Sequence, residues 1–218
     1  MATLAFLDDL DAEIQRALAR VTESSSRGEP GPDLSITTLL KLALKNELEA
    51  SEIAALWMTS EPDVEVKLSL ARQCGDEAKH YRLIQDRLAA LGANLAGWSP
   101  LQDGYSPMFQ YLKGLEGTVA RVAAGQFARE ALAGARNEVF AAFCERSGDL
   151  ETARLYREVI QPDEGHHHRM GRALLERLVQ TDQDRETTRA AAARTLSLAE
   201  ELQEIARLKK GISRAPGC

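Results

Sequence analysis

The sequence has little cysteine, glycine or proline and no long hydrophobic run. Its three Cys include no Cys-x-x-C pair, which excludes a zinc ribbon, a rubredoxin-type iron site and a disulfide framework. Fifteen Gly and seven Pro among 218 residues exclude collagen-like and low-complexity classes. No stretch approaches the roughly 18 apolar residues of a membrane span, so no contact with a membrane is expected. A net charge of −6 argues against a chain that holds nucleic acid mainly by charge.

Apolar residues at helical spacing run through the whole sequence, and no segment alternates as a strand would. This pattern predicts an all-α protein with helices at about 3–21, 35–59, 63–91, 107–146, 150–180 and 183–209. The Ser/Gly/Pro-rich stretch 22–34 is expected to be a surface linker. We therefore divide the chain into an N-terminal helix with its linker (1–34), a central helical domain (35–180) and a C-terminal helix with its tail (181–218). The N-terminal segment is acidic and amphipathic, unlike a signal peptide, so we expect a cytoplasmic protein.

The connections between the central helices differ in length. Residues 60–63 and 147–149 are short, so each is expected to close an antiparallel helical hairpin. Residues 92–106 show no periodicity and, at about 3.3 Å per residue, are long enough to run along a bundle. Two hairpins joined by one long crossover is the arrangement of a ferritin-like four-helix bundle, whereas an up-and-down bundle needs a short middle loop. The lengths favour the ferritin-like arrangement, flanked by N- and C-terminal helices.

Acidic residues interrupt the apolar faces of the four central helices. Each face carries one Glu: Glu47, Glu77, Glu130 and Glu164. A buried carboxylate is very costly unless a cation or a proton compensates it. The pattern predicts no inward Lys or Arg at the same level, so bound metal is the expected compensation.

Two of these glutamates belong to Glu-x-x-His motifs, Glu77 with His80 and Glu164 with His167. Residues at i and i+3 lie on one helix face, so a carboxylate and an imidazole of one helix can bind the same ion. The register of the second motif stays open, because His166 and His168 flank His167 and are alternative candidates for the ligand.

An aspartate precedes each motif, Asp76 in the first and Asp163 in the second. In that position it is expected to accept a hydrogen bond from the second nitrogen of the ligand histidine of the opposite motif. Such a contact fixes the tautomer of the histidine and its orientation.

The four glutamates are also expected to lie at the same height along the bundle axis. Glu47 and Glu77 lie about equally far from the first hairpin loop, and Glu130 and Glu164 from the second. At about 1.5 Å per residue the distances agree to within about half a turn. All four carboxylates are therefore predicted to meet at one level of the bundle.

The order Glu, Glu-x-x-His, Glu, Glu-x-x-His resembles the ferritin-like di-iron carboxylate superfamily over about 35–180. The segments NELEASEIA and DEAKHYRLIQDRLAALGA look most like bacterial ferritin-like proteins of undefined activity, and more distantly like the tRNA-modifying di-iron hydroxylase. The resemblance implies two iron ions, one bound largely by Glu47, Glu77 and His80 and the other by Glu130, Glu164 and His167. It also implies that Glu77 and Glu164 bridge the two ions.

Several features depart from better-known branches of that superfamily. Ala78 stands where bacterioferritin has a haem-binding Met, and Ile84 where the ribonucleotide reductase small subunit has its radical Tyr. The Cys-rich domain of rubrerythrins is absent, and ferritins usually lack a fourth-helix Glu-x-x-His motif. Pro162 is expected to kink the fourth helix.

Histidine and carboxylate ligands suit iron, with manganese as the other choice. The resemblance implies an oxidoreductase that activates dioxygen, a hydroxylase or oxygenase with an unidentified small-molecule or RNA substrate and an unidentified electron donor. Two alternatives stay open: an iron-handling protein (ferroxidase or peroxide scavenger) and a non-catalytic helical partner subunit. The amphipathic terminal helices favour a homodimer.

Overall fold

The computed structural model describes residues 2–27, 35–212 and 215–217. Within these ranges the protein is all-helical and contains no strand, which confirms the predicted class. Five of its helices are α1 (Ala2–Arg27), α2 (Ile36–Ser60), α3 (Val64–Ala90), α4 (Pro107–Lys113) and α7 (Asp182–Lys210). The other two contain π-helical turns: α5 runs through Thr118–Arg121, the π segment Val122–Arg129 and Glu130–Arg146, and α6 through Leu150–Leu155, the π segment Tyr156–Ile160 and Gln161–Leu178. None of the helices in the described ranges is long and apolar enough to cross a membrane.

Local sequence signals set several of the helix ends. The side chain of Ser35 accepts a hydrogen bond from the backbone N–H of Thr38 at the start of α2, and Asp63 caps α3 in the same way. Thr181 and Asp184 form a reciprocal capping box at the start of α7. Gly211 ends that helix in the left-handed conformation, with φ at 64°.

The two predicted hairpins are present. Residues 61–63 turn the chain from α2 into α3, and residues 147–149 turn it from α5 into α6. The partners in each hairpin pack against each other, and α3 also packs against α6. Helices α1 and α7 lie against α5, so both terminal helices are packed on the second hairpin.

The long connection between the hairpins differs in part from the prediction. Residues 91–106 are non-helical as expected, but the single helix predicted over 107–146 is wrong. The short helix α4 ends at Gly114, and α5 begins only after Gly117, whose φ of 80° lies in the left-handed region. Glycine favours such a break because it adopts positive φ without strain and destabilises a continuous helix.

The first helix is longer than predicted. It continues to Arg27, so the beginning of the expected linker 22–34 is helical, and Thr22 donates its hydroxyl hydrogen bond to the carbonyl of Leu18. The remaining residues of that linker, 28–34, lie outside the described residues.

Two apolar clusters form the core. One contains Trp57, Leu70 and Phe127, and the other contains Ile84 and Phe140. On each of α2, α3 and α6, one part of the helix enters the first cluster and another part enters the second. The glutamates and histidines singled out by the sequence lie between these two parts. The core is thus divided by a polar layer.

Candidate metal centre

The polar layer brings together all six ligand candidates predicted from the sequence. Their exposed fractions are at most 3%, for Glu47, Glu77, His80, Glu130, Glu164 and His167. They form two groups whose ligand atoms lie within 4.8 Å of one another: Glu47, Glu77, His80 and Glu164 in one, and Glu77, Glu130, Glu164 and His167 in the other. Glu77 and Glu164 belong to both groups, so each of these two carboxylates is within reach of both candidate ion positions.

Each histidine contacts the aspartate of the opposite motif. The Nε2 atom of His80 lies 3.1 Å from Oδ2 of Asp163, and Nε2 of His167 lies 3.1 Å from Oδ2 of Asp76. These two contacts confirm the predicted pairing between the motifs. They hold the two imidazole rings in orientation, which is the role that such aspartates have behind metal ligands.

The other ring nitrogens point into the cluster. The Nδ1 atom of His80 is 3.2 Å from Oε2 of Glu77, and Nδ1 of His167 is 3.4 Å from Oε2 of Glu130. Both Nδ1 atoms therefore lie among the carboxylates, in the position that a metal ligand requires. That the six residues bind metal stays a prediction.

The neighbouring histidines take other positions. The Nδ1 atom of His168 lies 2.8 Å from the carbonyl oxygen of Phe127, and its ring stacks on that phenylalanine. His166 is partly exposed, and burial together with nearby cations lowers its pKa. Among the three consecutive histidines, His167 is therefore the one that faces the carboxylates.

The protonation of the buried cluster reflects strong interactions between its members. Burial and the neighbouring carboxylates raise the pKa of Glu77 to about 7 and hold that of Glu164 well above its usual range. Burial opposes a charge on His80, but the contacts with Glu47 and Glu77 prevail and raise its pKa to about 11. Burial would also raise the pKa of Glu130, yet its hydrogen-bonding and cationic neighbours lower it to about 2. Without metal, the cluster is thus stabilised by protons.

One prediction about this layer is wrong. Arg129 is buried, with 5% of its surface exposed, and its Nη1 atom lies 3.2 Å from Oε1 of Glu130. An inward cation therefore does lie at the level of the carboxylates. It compensates part of their charge but leaves three further glutamates in the layer.

Glu49 lies on the same helix as Glu47 but belongs to neither ligand group. It is buried, and Ser106 donates hydrogen bonds to its two carboxylate oxygens from the backbone N–H and the hydroxyl. The long connection thus closes over this part of α2. Glu138 on α5, in contrast, is exposed and pairs with Arg157.

Two buried residues of the site were missed. Gln73 donates a hydrogen bond of 2.7 Å to Glu130, and its position one turn before Glu77 on the same face was a usable signal. Tyr156 is fully buried, and within the described chain its hydroxyl has no hydrogen-bond partner. Burial and the charge of Glu47 raise its pKa well above the usual value. No sequence signal distinguished Tyr156 from an ordinary core residue.

The C-terminal segment covers the cluster from one side. The backbone N–H of Gly217 donates a 2.8 Å hydrogen bond to Asn137, and Asn46 donates one of 2.9 Å to the carbonyl of Pro216. Gly217 lines a small cavity together with Glu47 and other members of the cluster. Its volume is about 10 Å³, enough for about one water molecule. The site is therefore nearly closed.

Comparison of the chain with protein-family models, with curated proteins and with solved structures found no match.

Proposed function

We propose that the polar layer binds two iron ions, or two manganese ions, and that the protein is an oxidoreductase that activates dioxygen. Within that class we propose a hydroxylase or oxygenase built on a ferritin-like four-helix bundle of α2, α3, α5 and α6. The observation that carries this proposal is the pair of four-residue ligand groups that share Glu77 and Glu164. Two groups with two shared carboxylates suit a pair of adjacent ions better than one ion or none.

The donor set fits such a pair. Carboxylates and imidazoles are ligands of iron and manganese, and no thiol that would favour zinc or copper is in either group. Four buried carboxylates are costly without cations, and Arg129 offsets only part of their charge. When bound, the two ions would supply the electrons that reduce dioxygen.

The protein residues would position the ligands and hold protons. Asp163 and Asp76 orient the two imidazoles from behind. Gln73 and Arg129 hold Oε1 of Glu130 in place, which leaves Oε2 directed towards His167. The apolar clusters on both sides of the layer exclude water from the reacting atoms.

The size of the cavity favours one alternative, an iron-handling ferroxidase or a peroxide scavenger. A space of about 10 Å³ next to the cluster, enough for about one water molecule, is too small for an organic substrate while residues 215–217 stay in place. If the reaction is confined to such small molecules, the products are ferric iron or water. The two functions differ in whether an organic compound gains oxygen.

Metal content tests the proposal. We expect two metal ions per chain in protein purified without chelator or loaded with ferrous iron under anaerobic conditions. Glu77→Ala and Glu164→Ala each remove a shared ligand and should lower the content to one ion or fewer. Glu138→Ala, which removes an exposed glutamate of α5, is the matched control and should keep both ions. An oxygen pulse on the loaded wild type should then give a transient visible absorption band that the two site variants lack.

Circular dichroism of each variant separates loss of metal from loss of fold. Folded wild-type protein that binds no metal and takes up no ferrous iron would contradict the proposal. The polar layer would then be a proton-sharing structural network. Oxidation of many ferrous ions per chain, with no organic product, would identify the iron-handling alternative.

A further inference from the structure

A second cavity lies beside the metal centre, between α2, α7, the start of α4 and the C-terminal segment. Its volume is about 400 Å³, within the range of roughly 300–1,000 Å³ typical of small-molecule sites. It is thus far larger than the cavity at the carboxylates.

The walls of this cavity are mainly apolar. Met108 and Ile212 contribute buried side chains to it, and Leu42 and Leu202 contribute half-buried ones. At its rim, Ile205 and Tyr105 are 48% and 41% exposed. Large apolar side chains that line a concave surface and remain exposed are typical of a site that holds an apolar ligand.

Cations predominate among the charged residues of the lining. Lys45, Arg136 and Lys209 line the cavity, against two acids: Asp103 in the lining and Glu49, which lies 3.8 Å from the Lys45 ammonium. The whole chain, in contrast, carries a net charge of −6. Lys45 and Arg136 are held in place by hydrogen bonds to backbone carbonyls, Lys45 to that of Gly104. A fixed positive charge beside apolar walls suits a ligand with an apolar chain and an anionic head group.

The cavity adjoins the metal centre. Asn46 lines both the large cavity and the small one that contains Glu47 and Gly217. Ala215 lines the large cavity on the other side of the same C-terminal segment. Among the described residues, the wall between a ligand in the large cavity and the carboxylates therefore includes Asn46 and the C-terminal residues 215–217.

We propose that this cavity binds a single-chain anionic amphiphile, with its alkyl chain against the apolar walls and its head group at the cations. The binding itself requires no metal.

Binding to metal-free protein is tested first, by isothermal titration calorimetry below the micellar concentration of each probe. We expect dodecanoate and dodecyl phosphate to bind, and dodecanol and dodecyltrimethylammonium to bind at least about tenfold more weakly because they lack the negative charge. If all four probes bind equally, or none binds, the proposal is overturned.

Two pairs of variants locate the site. Ile205→Asp should weaken dodecanoate binding by about tenfold or more, because it removes apolar contact and adds a repelling charge. Leu208→Asp makes the same kind of change on α7 at an exposed residue outside the lining and should leave binding unchanged. Lys209→Glu should weaken binding, whereas Lys113→Glu, at an exposed lysine away from the cavity, should not. Equal effects within a pair would place the binding elsewhere and contradict the assignment.

Metal content is measured on the same preparations, so that failure of this inference and failure of the proposed metal centre can be told apart. Normal metal loading without dodecanoate binding would overturn this inference alone and leave the proposed metal centre standing.

Discussion

At the scale of single residues, the aspartate–histidine pairs make a prediction about metal affinity. Asp163→Asn and Asp76→Asn keep the size of the side chain but remove the negative charge that faces Nε2 of His80 or His167. We expect each change to weaken metal binding by about 10–100-fold, because the histidine loses orientation and basicity. Competition with a chromophoric chelator measures this affinity.

The matched control is Asp86→Asn, which changes an exposed aspartate on α3 that faces away from the site. It should bind metal like the wild type. Unchanged affinity in both site variants would show that the two aspartates serve the structure only, through their ion pairs with Lys79 and Arg72.

The positions of the six ligand candidates could be predicted because helical periodicity fixes which residues share a face. The contact between each Asp and the opposite His followed from the same geometry. The burial of Arg129 could not be predicted, because it lies at the end of a π segment, where the spacing of faces departs from 3.6 residues per turn. The burial of Glu49 depends on Ser106, which lies 57 residues away in the chain, and local spacing contains no information about such a contact.

At the scale of helices, both members of the second hairpin contain a π segment shortly before their ligand glutamate. One ends at Arg129, directly before Glu130, and the other ends at Ile160, four residues before Glu164. Such segments are frequent at functional sites because they redirect the side chains that follow. Pro162 was expected to kink α6, and the π segment occupies the turn just before it, where proline removes a backbone donor.

The packing of α6 on the π segment of α5 predicts a specific effect on stability. At Gly171, an added Cβ atom would lie 2.7 Å from the backbone carbonyl carbon and oxygen of Gln126. Because backbone atoms cannot move aside cheaply, we expect Gly171→Ala to lower the free energy of unfolding by about 1–3 kcal/mol. Urea denaturation followed by circular dichroism measures this change.

Gly165→Ala on the same helix is the comparison for that experiment. The nearest atom to its added Cβ is the mobile Nη1 of Arg169, at 3.1 Å. Alanine should therefore be tolerated there and can stabilise the helix by up to about 1 kcal/mol. Similar losses in both variants would show that glycine is needed for a reason other than this close approach.

Some helix boundaries could be predicted from the sequence and others could not. The hairpin loops predicted at 60–63 and 147–149 are present at 61–63 and 147–149, because so short a connection forces the next helix to run back along the previous one. The break between α4 and α5 was missed, although Gly114 and Gly117 lie there, because the apolar spacing continues across it. Apolar periodicity indicates which residues are buried, and here it continues across a break in the helical backbone.

At the scale of the whole molecule, the class and the polar layer were predictable, but the packing of the terminal helices was not. The apolar face of α1, with Leu7, Leu10 and Ile14, is buried within the chain, and α7 also packs on α5. The prediction of a homodimer rested on the amphipathic faces of these terminal helices. Because these faces pack within the chain, they no longer favour a homodimer, which stays a prediction.

The stability of the folded protein should depend on metal if the polar layer is a metal site. A ligand that binds only the folded state, present at about 100 times its dissociation constant, adds about 2.7 kcal/mol to the free energy of unfolding. For a chain of this size that corresponds to a rise of about 5–10 °C in Tm. We therefore expect manganese or anaerobic ferrous iron to raise the Tm of the wild type in differential scanning calorimetry. A Glu77→Ala/Glu164→Ala double variant should show no rise, because it lacks both shared ligands. Equal Tm values with and without metal in the wild type, together with an undiminished Tm in the double variant, would instead favour a non-catalytic helical partner subunit.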